Sequence, residues 1–133
     1  MSLNDLQSEF LKENKNVNTS LLASTARTAS NNSADFINKH NVGAHFIIDV
    51  TVVPSVETVT FTVQGKDSVS GKYYDLIVSA ALVATGTVIL KVYPGITVVA
   101  NLSVSDILPD TYRVKVTHSA SGSFTYSIAS NLV

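Results

Sequence analysis

The chain has 133 residues, 45% of them hydrophobic and only 14% charged, with a formal net charge of −1. That length suits one domain with a sizeable core, and its nine scattered lysines and arginines exclude the concentrated positive field of a nucleic-acid binder. With no cysteine, disulfides and thiolate metal sites are excluded, so packing alone must hold the fold.

The opening residues, MSLNDLQSEF, lack a basic region followed by an apolar run, so no secretory signal is expected there. No stretch approaches the about 20 apolar residues of a membrane helix. The expectation is a soluble chain made in the cytoplasm, with no membrane partner. Leu3, Leu6, Phe10 and Leu11 recur at helical spacing, which predicts a short amphipathic helix over residues 3–13. Asp5, Glu9 and Glu13 share one face of it and read as a solvated face rather than a metal or acid–base site. A helix of about 11 residues is too short to persist alone in water, so its apolar stripe needs something to cover it.

Residues 14–18 read as a breaker. Residues 19–34 are rich in Ser, Thr, Ala and Asn and read as a linker or an extended arm. Residues 35–41 read as a turn or a single helical turn, ended by Gly43. The chain thus divides into an N-terminal helix and arm, residues 1–42, and a β-domain, residues 43–133.

From residue 44 onward apolar and polar residues alternate. Phe46, Ile48, Val50 and Val52 share one face of the first strand, residues 44–53, which Pro54 stops. Val59, Phe61 and Val63 do so in the second, residues 58–64. A loop over residues 65–72 leads to a strand at 73–78 and a short one at 80–84. Strands at 87–93, 96–100 and 102–104 follow, the last two separate or fused by a bulge. Residues 96–100 are a candidate sheet edge with no charge to protect it. Tyr112, Val114 and Val116, then Phe124, Tyr126 and Ile128, predict a closing hairpin with one apolar face. About eight short strands between turn signals predict an all-β, antiparallel β-sandwich, immunoglobulin-like or jelly-roll-like.

Little in this sequence carries chemistry. GKDSVSGK, residues 65–72, has the wrong glycine spacing for a phosphate loop and precedes a strand, so it reads as a hairpin loop with Gly at positive φ. No nucleophile elbow accompanies the serines. His40, His45 and His118 lack metal-ligand spacing, and His45 and His118 are expected to be exposed or half-exposed. Asp106 and Asp110 flank a proline turn, which explains them better than calcium does. Phe46, Phe61, Tyr112, Phe124 and Tyr126 are expected in the core; of the adjacent Tyr73 and Tyr74, one must point outward. The reading is a non-enzyme with no catalytic residue, cofactor or metal.

In order, LLASTARTASNNSADF, GAHFIIDVT, FTVQGKDSVSGKYYDLI, ATGTVILKVYPGI and LPDTYRVKVTHSASGSFTYSI resemble a family of small proteins encoded among the virion structural genes of tailed bacteriophages and prophages. The resemblance covers residues 20–133, most of all QGKDSVSGKYYDL and ILPDTYRVKVTH. It implies a structural role in the particle and brings no catalytic residue with it. The expectation is therefore a capsid decoration or head-associated protein, located in the virion and partnered by capsid or other virion proteins. A tail or baseplate component and a host-surface glycan-binding module are the alternatives. Hydroxyl-rich strand faces allow a homo-oligomer. The stripe Leu3, Leu6, Phe10 and Leu11 is expected to bind a partner rather than fold back, because a long polar arm would give it reach.

Overall fold

The computed structural model describes residues 16–133, and among them every regular element is a strand. In chain order these are β1 (Val17–Arg27), β2 (Asn31–Asn32), β3 (Phe36–Ile37), β4 (Ala44–Val52), β5 (Val59–Lys66), β6 (Tyr73–Val78), β7 (Gly86–Val92), β8 (Ser103–Val104), β9 (Thr111–His118) and β10 (Phe124–Leu132). One sheet has the order β1-β10-β4-β7-β8; the other runs β2-β9-β5-β6, with β3 also paired to β9. Only the short β7–β8 contact is parallel. The predicted helix over residues 3–13 lies outside the described residues.

Period-two alternation places one face of each main strand in the core. Phe46, Ile48 and Val50 of β4, Phe124, Tyr126 and Ile128 of β10, Val59, Phe61 and Val63 of β5, and Tyr112, Val114 and Val116 of β9 are all buried. The two sheets share this core. Phe46 meets Tyr112 edge-on at 5.8 Å, and Phe61 meets Tyr126 at 5.2 Å and 88°. Each pair takes one ring from each sheet, in the edge-to-face geometry that aromatic quadrupoles favour. Tyr112 Oη also lies 3.2 Å from Ser130 Oγ across the core.

The segment read as an arm is a strand of the first sheet: β1 runs antiparallel along β10 from Val17 opposite Leu132 to Arg27 opposite Phe124. The sheets therefore begin at Val17, well before Gly43. Two register shifts hide β1 from a periodicity reading. Leu21 is an extra residue between the pairs Ser20–Ala129 and Leu22–Ile128, and its side chain is buried. Ala23 and Ser24 then stand opposite the single residue Ser127. Each bulge changes which face the following side chains take.

Residues 35–41 hold β3 rather than a helical turn, with Phe36 opposite Tyr112. Together β2 and β3 form an interrupted edge whose gaps are filled by hydroxyls. Ser30 Oγ accepts from the His118 amide and Ser33 Oγ from the Val114 amide, each at 2.9 Å. A ladder completed by side chains leaves no side-chain period to read.

The closing hairpin is also corrected. β9 and β10 belong to opposite sheets, and residues 119–123 carry the chain across the core. Two strands with one apolar face each satisfy the same alternation whether paired side by side or stacked face to face. Residues 80–84 contribute only an isolated bridge from Leu82 to Val59, and residues 96–100 only one from Val99 to Ser103. The β5–β6 connection is a hairpin as expected. The Asp67 amide donates to the Lys72 carbonyl, and Gly71 takes φ 74°. The Asp67 carboxylate accepts from the Ser70 hydroxyl and from the amides of Val69 and Ser70, which hold it below its usual pKa.

Candidate interaction surface

The outer face of the first sheet is built in rows. Asn131, His45 and Lys91 lie side by side across β10, β4 and β7; Ala129, Ile47 and Ile89 form the next row; Ser127, Asp49 and Thr87 form the third. An apolar row thus runs between two polar ones. It opens at β7 into a groove of about 450 Å³ lined by Thr87, Ile89, Lys91, Ile96, Val99 and Leu102 among others.

The far wall of this groove is the segment expected to be an edge strand. It is a loop held by one buried hydroxyl. Ser103 Oγ donates to the Thr97 carbonyl at 2.7 Å and accepts from the Val99 amide at 2.8 Å. Asn101, at φ 64°, donates from Nδ2 to the Val78 carbonyl and ties the loop to the other sheet. Left-handed φ suits Asn better than most residues. So anchored, the loop keeps Val99 and Leu102 about half exposed at 47% and 46%, beside Ile89 at 40%. Exposed apolar side chains held by a rigid loop suit docking against another surface. The sequence carried a signal for this face: Ile47 and Ile89 interrupt the polar side of FIID and VILK, in two strands that prove to be neighbours.

The outer face of the second sheet is polar. Arg113 stacks its guanidinium 3.5 Å from the Tyr73 ring centroid and donates from Nε to Gln64 Oε1 at 2.9 Å. Gln64 Nε2 donates to Asp75 at 2.8 Å. Tyr73 Oη and Lys66 Nζ both donate to Asp35. Burial opposes ionisation of Asp35, but these two donors outweigh it and hold the carboxyl below its usual range. Tyr73 is thus the outward tyrosine of the pair; Tyr74, opposite Gly65, lies on the core side of the sheet at its edge and is 47% exposed.

The histidines separate. His45 is half-exposed in the outer row, as expected. His118 is buried, contrary to expectation, because its strand position points into the core near the β9–β10 crossing. Asp106 caps its own turn by accepting from the Ile107 amide. Among the described residues, no group of three His, Asp or Glu side chains is placed to hold a metal ion. Leu3, Leu6, Phe10 and Leu11 lie outside the described residues. Comparisons with family models, curated proteins and solved structures returned no match.

Proposed function

We propose that this protein is a structural component of a tailed-bacteriophage virion, a capsid decoration or head-associated protein built as a jelly-roll sandwich. The observation that carries the reading is the strand order. β1-β10-β4-β7 facing β2/β3-β9-β5-β6 is the eight-strand, double-sheet arrangement of jelly rolls, with β8 an addition at one edge. Jelly rolls recur in viral capsid proteins, lectins and cupins. Fold alone does not choose among them; the resemblance of residues 20–133 to small phage virion proteins is what favours the virion in this reading.

Two further observations support a docking role. The space between the sheets is filled by buried aromatic rings, and the groove of about 450 Å³ lies outside, on the first sheet. In this reading the apolar row and groove seat the protein on its lattice, and many weak contacts repeated over a shell add by multivalency. No reaction is asked of the fold. A glycan-binding module is less well supported, because Arg113 already covers one face of the Tyr73 ring.

The test is Ile89→Asp and Leu102→Asp, two exposed positions where a charge leaves the core intact. Both variants are expected to keep the parent's circular dichroism and lose co-sedimentation with capsids. Immuno-gold labelling of virions locates the wild-type protein. Label on the tail supports the baseplate alternative, and absence of label from particles removes the virion reading.

A further inference from the structure

The outer face of the first sheet carries opposite charges on the two sides of its apolar row. Lys91 lies in the row on one side, next to His45, and Asp49 in the row on the other. They are the only formal charges in the three rows. Successive rows are two residues apart along the strands, about 6.6 Å. The inward positions of these strands hold the buried Phe46, Ile48, Leu90 and Ile128, so alternation fixes both charges on the outside. The Thr87 hydroxyl donates to Asp49 Oδ1 at 3.4 Å and keeps the carboxylate in its row.

A face of this kind complements itself. Rotating a second copy by half a turn about an axis along the apolar row reverses strand direction and keeps lateral order. Ile47 then meets Ile47, Ile89 meets Ile89, and His45 of one copy lies over Asp49 of the other. Lys91 stands one strand from His45, about 4.8 Å to the side. The Lys91 and Asp49 side chains together bridge the about 10 Å between stacked sheets. The two-fold makes each charge contact occur twice. The loops bearing Val99 and Leu102 fall on the same side of both copies and extend the apolar contact past β7. The other two-fold, with its axis along β4, sets Asp49 over Asp49, which like-charge repulsion disfavours.

We propose that a second copy of this chain occupies the face, docked about the two-fold along Ala129, Ile47 and Ile89, with His45 and Lys91 against Asp49 of the second copy. The inference rests on the docking reading of this face and deepens it by naming the occupant. A two-fold contact requires the rows on either side of its axis to complement each other; an unrelated surface imposes no such relation. Pairing also doubles the contacts that one unit makes with a shell, so self-association and particle binding reinforce each other.

Sedimentation equilibrium on the full chain tests this. The parent is expected to exchange reversibly between monomer and dimer. Asp49→Lys and, separately, Lys91→Glu set like charges opposite each other, and each is expected to weaken the dimer by about tenfold or more. Mixing the two variants, or combining both substitutions in one chain, restores opposite charges at every contact and is expected to bring the dimer back. The mixture separates the proposal from a folding defect, because one misfolded chain does not rescue another. A parent that stays monomeric at about 1 mM overturns the proposal. So does a dimer that neither single substitution weakens, or one that the mixture fails to restore. A monomeric parent whose Ile89→Asp variant loses capsid co-sedimentation overturns the second copy and leaves the docking reading standing.

Discussion

Tyr126 Oη lies 2.8 Å from His118 Nε2, joining β10 to β9 across the core close to where the chain passes from one sheet to the other. Asn31 Nδ2 also donates to Tyr126 Oη at 2.8 Å, and its second donation, to the Ala29 carbonyl, fixes the orientation of the amide. His118 Nε2 shares that oxygen with Asn31, and the other ring nitrogen, Nδ1, is buried with no hydrogen-bond partner among the described residues. Phe124 packs edge-on against the ring at 5.3 Å. A residue from β2, one from β9 and one from β10 thus share a buried polar contact.

This arrangement makes stability pH-dependent. Burial, and then the nearby charge of Arg27, push the His118 pKa below 6.5, while Glu57 opposes them weakly. A depressed histidine pKa means the unfolded chain binds the proton first. Its contribution to stability is fully present above about pH 6.5 and declines as pH falls from there towards the folded-state pKa. Urea melts from pH 8 to pH 5 are expected to show this decline in the parent and a flatter profile in His118→Phe. Tyr126→Phe removes the hydroxyl shared by the buried His118 and the half-buried Asn31 and is expected to cost about 1–3 kcal/mol at pH 8.

Arg27 fastens the free edge of the first sheet. Its guanidinium donates to the carbonyls of Ala23, Thr25 and Tyr126, and sits 4.7 Å above the Tyr126 ring. Ala23 stands at the second bulge, so its carbonyl has lost its regular ladder position. Arg27→Ala is expected to cost about 1.5–3 kcal/mol. Hydrogen exchange should speed up first in β1, while β4 and β5 stay protected.

Phe61 is completely buried, with its ring edge-on to Tyr126. Phe61→Ala is expected to cost about 3–5 kcal/mol, read as a lower urea midpoint, because the cavity lies where both sheets meet.

Val56 holds a φ of 61° although it is β-branched and 98% exposed. Left-handed backbone costs such a residue roughly 1 kcal/mol, and its side chain recovers little by packing. Val56→Asn should therefore stabilise the fold by about 0.5–1 kcal/mol, seen as a higher thermal midpoint. An unchanged or lower midpoint would show that the loop keeps this conformation without strain.

By itself the sequence determined the all-β class, the β5–β6 hairpin loop and the inward faces of β4, β5, β9 and β10. A period of two is written in the residues themselves, and burial only has to obey it. The buried Phe46, Phe61, Tyr112, Phe124 and Tyr126 follow from parity alone. Tertiary structure decided which strands stand side by side. Alternation is equally satisfied by pairing and by stacking, so the placement of β9 and β10 in opposite sheets could not be read from it. Nor could β1, where two bulges break the period, or the β2–β3 edge, where Ser30 and Ser33 hydroxyls stand in for ladder carbonyls. The outer groove depended on the same decision. Ile47 and Ile89 look like isolated lapses in alternation until strand order sets them side by side, next to a loop held by Ser103. Hydrogen bonds between residues distant in sequence settle such choices, and no local pattern encodes them.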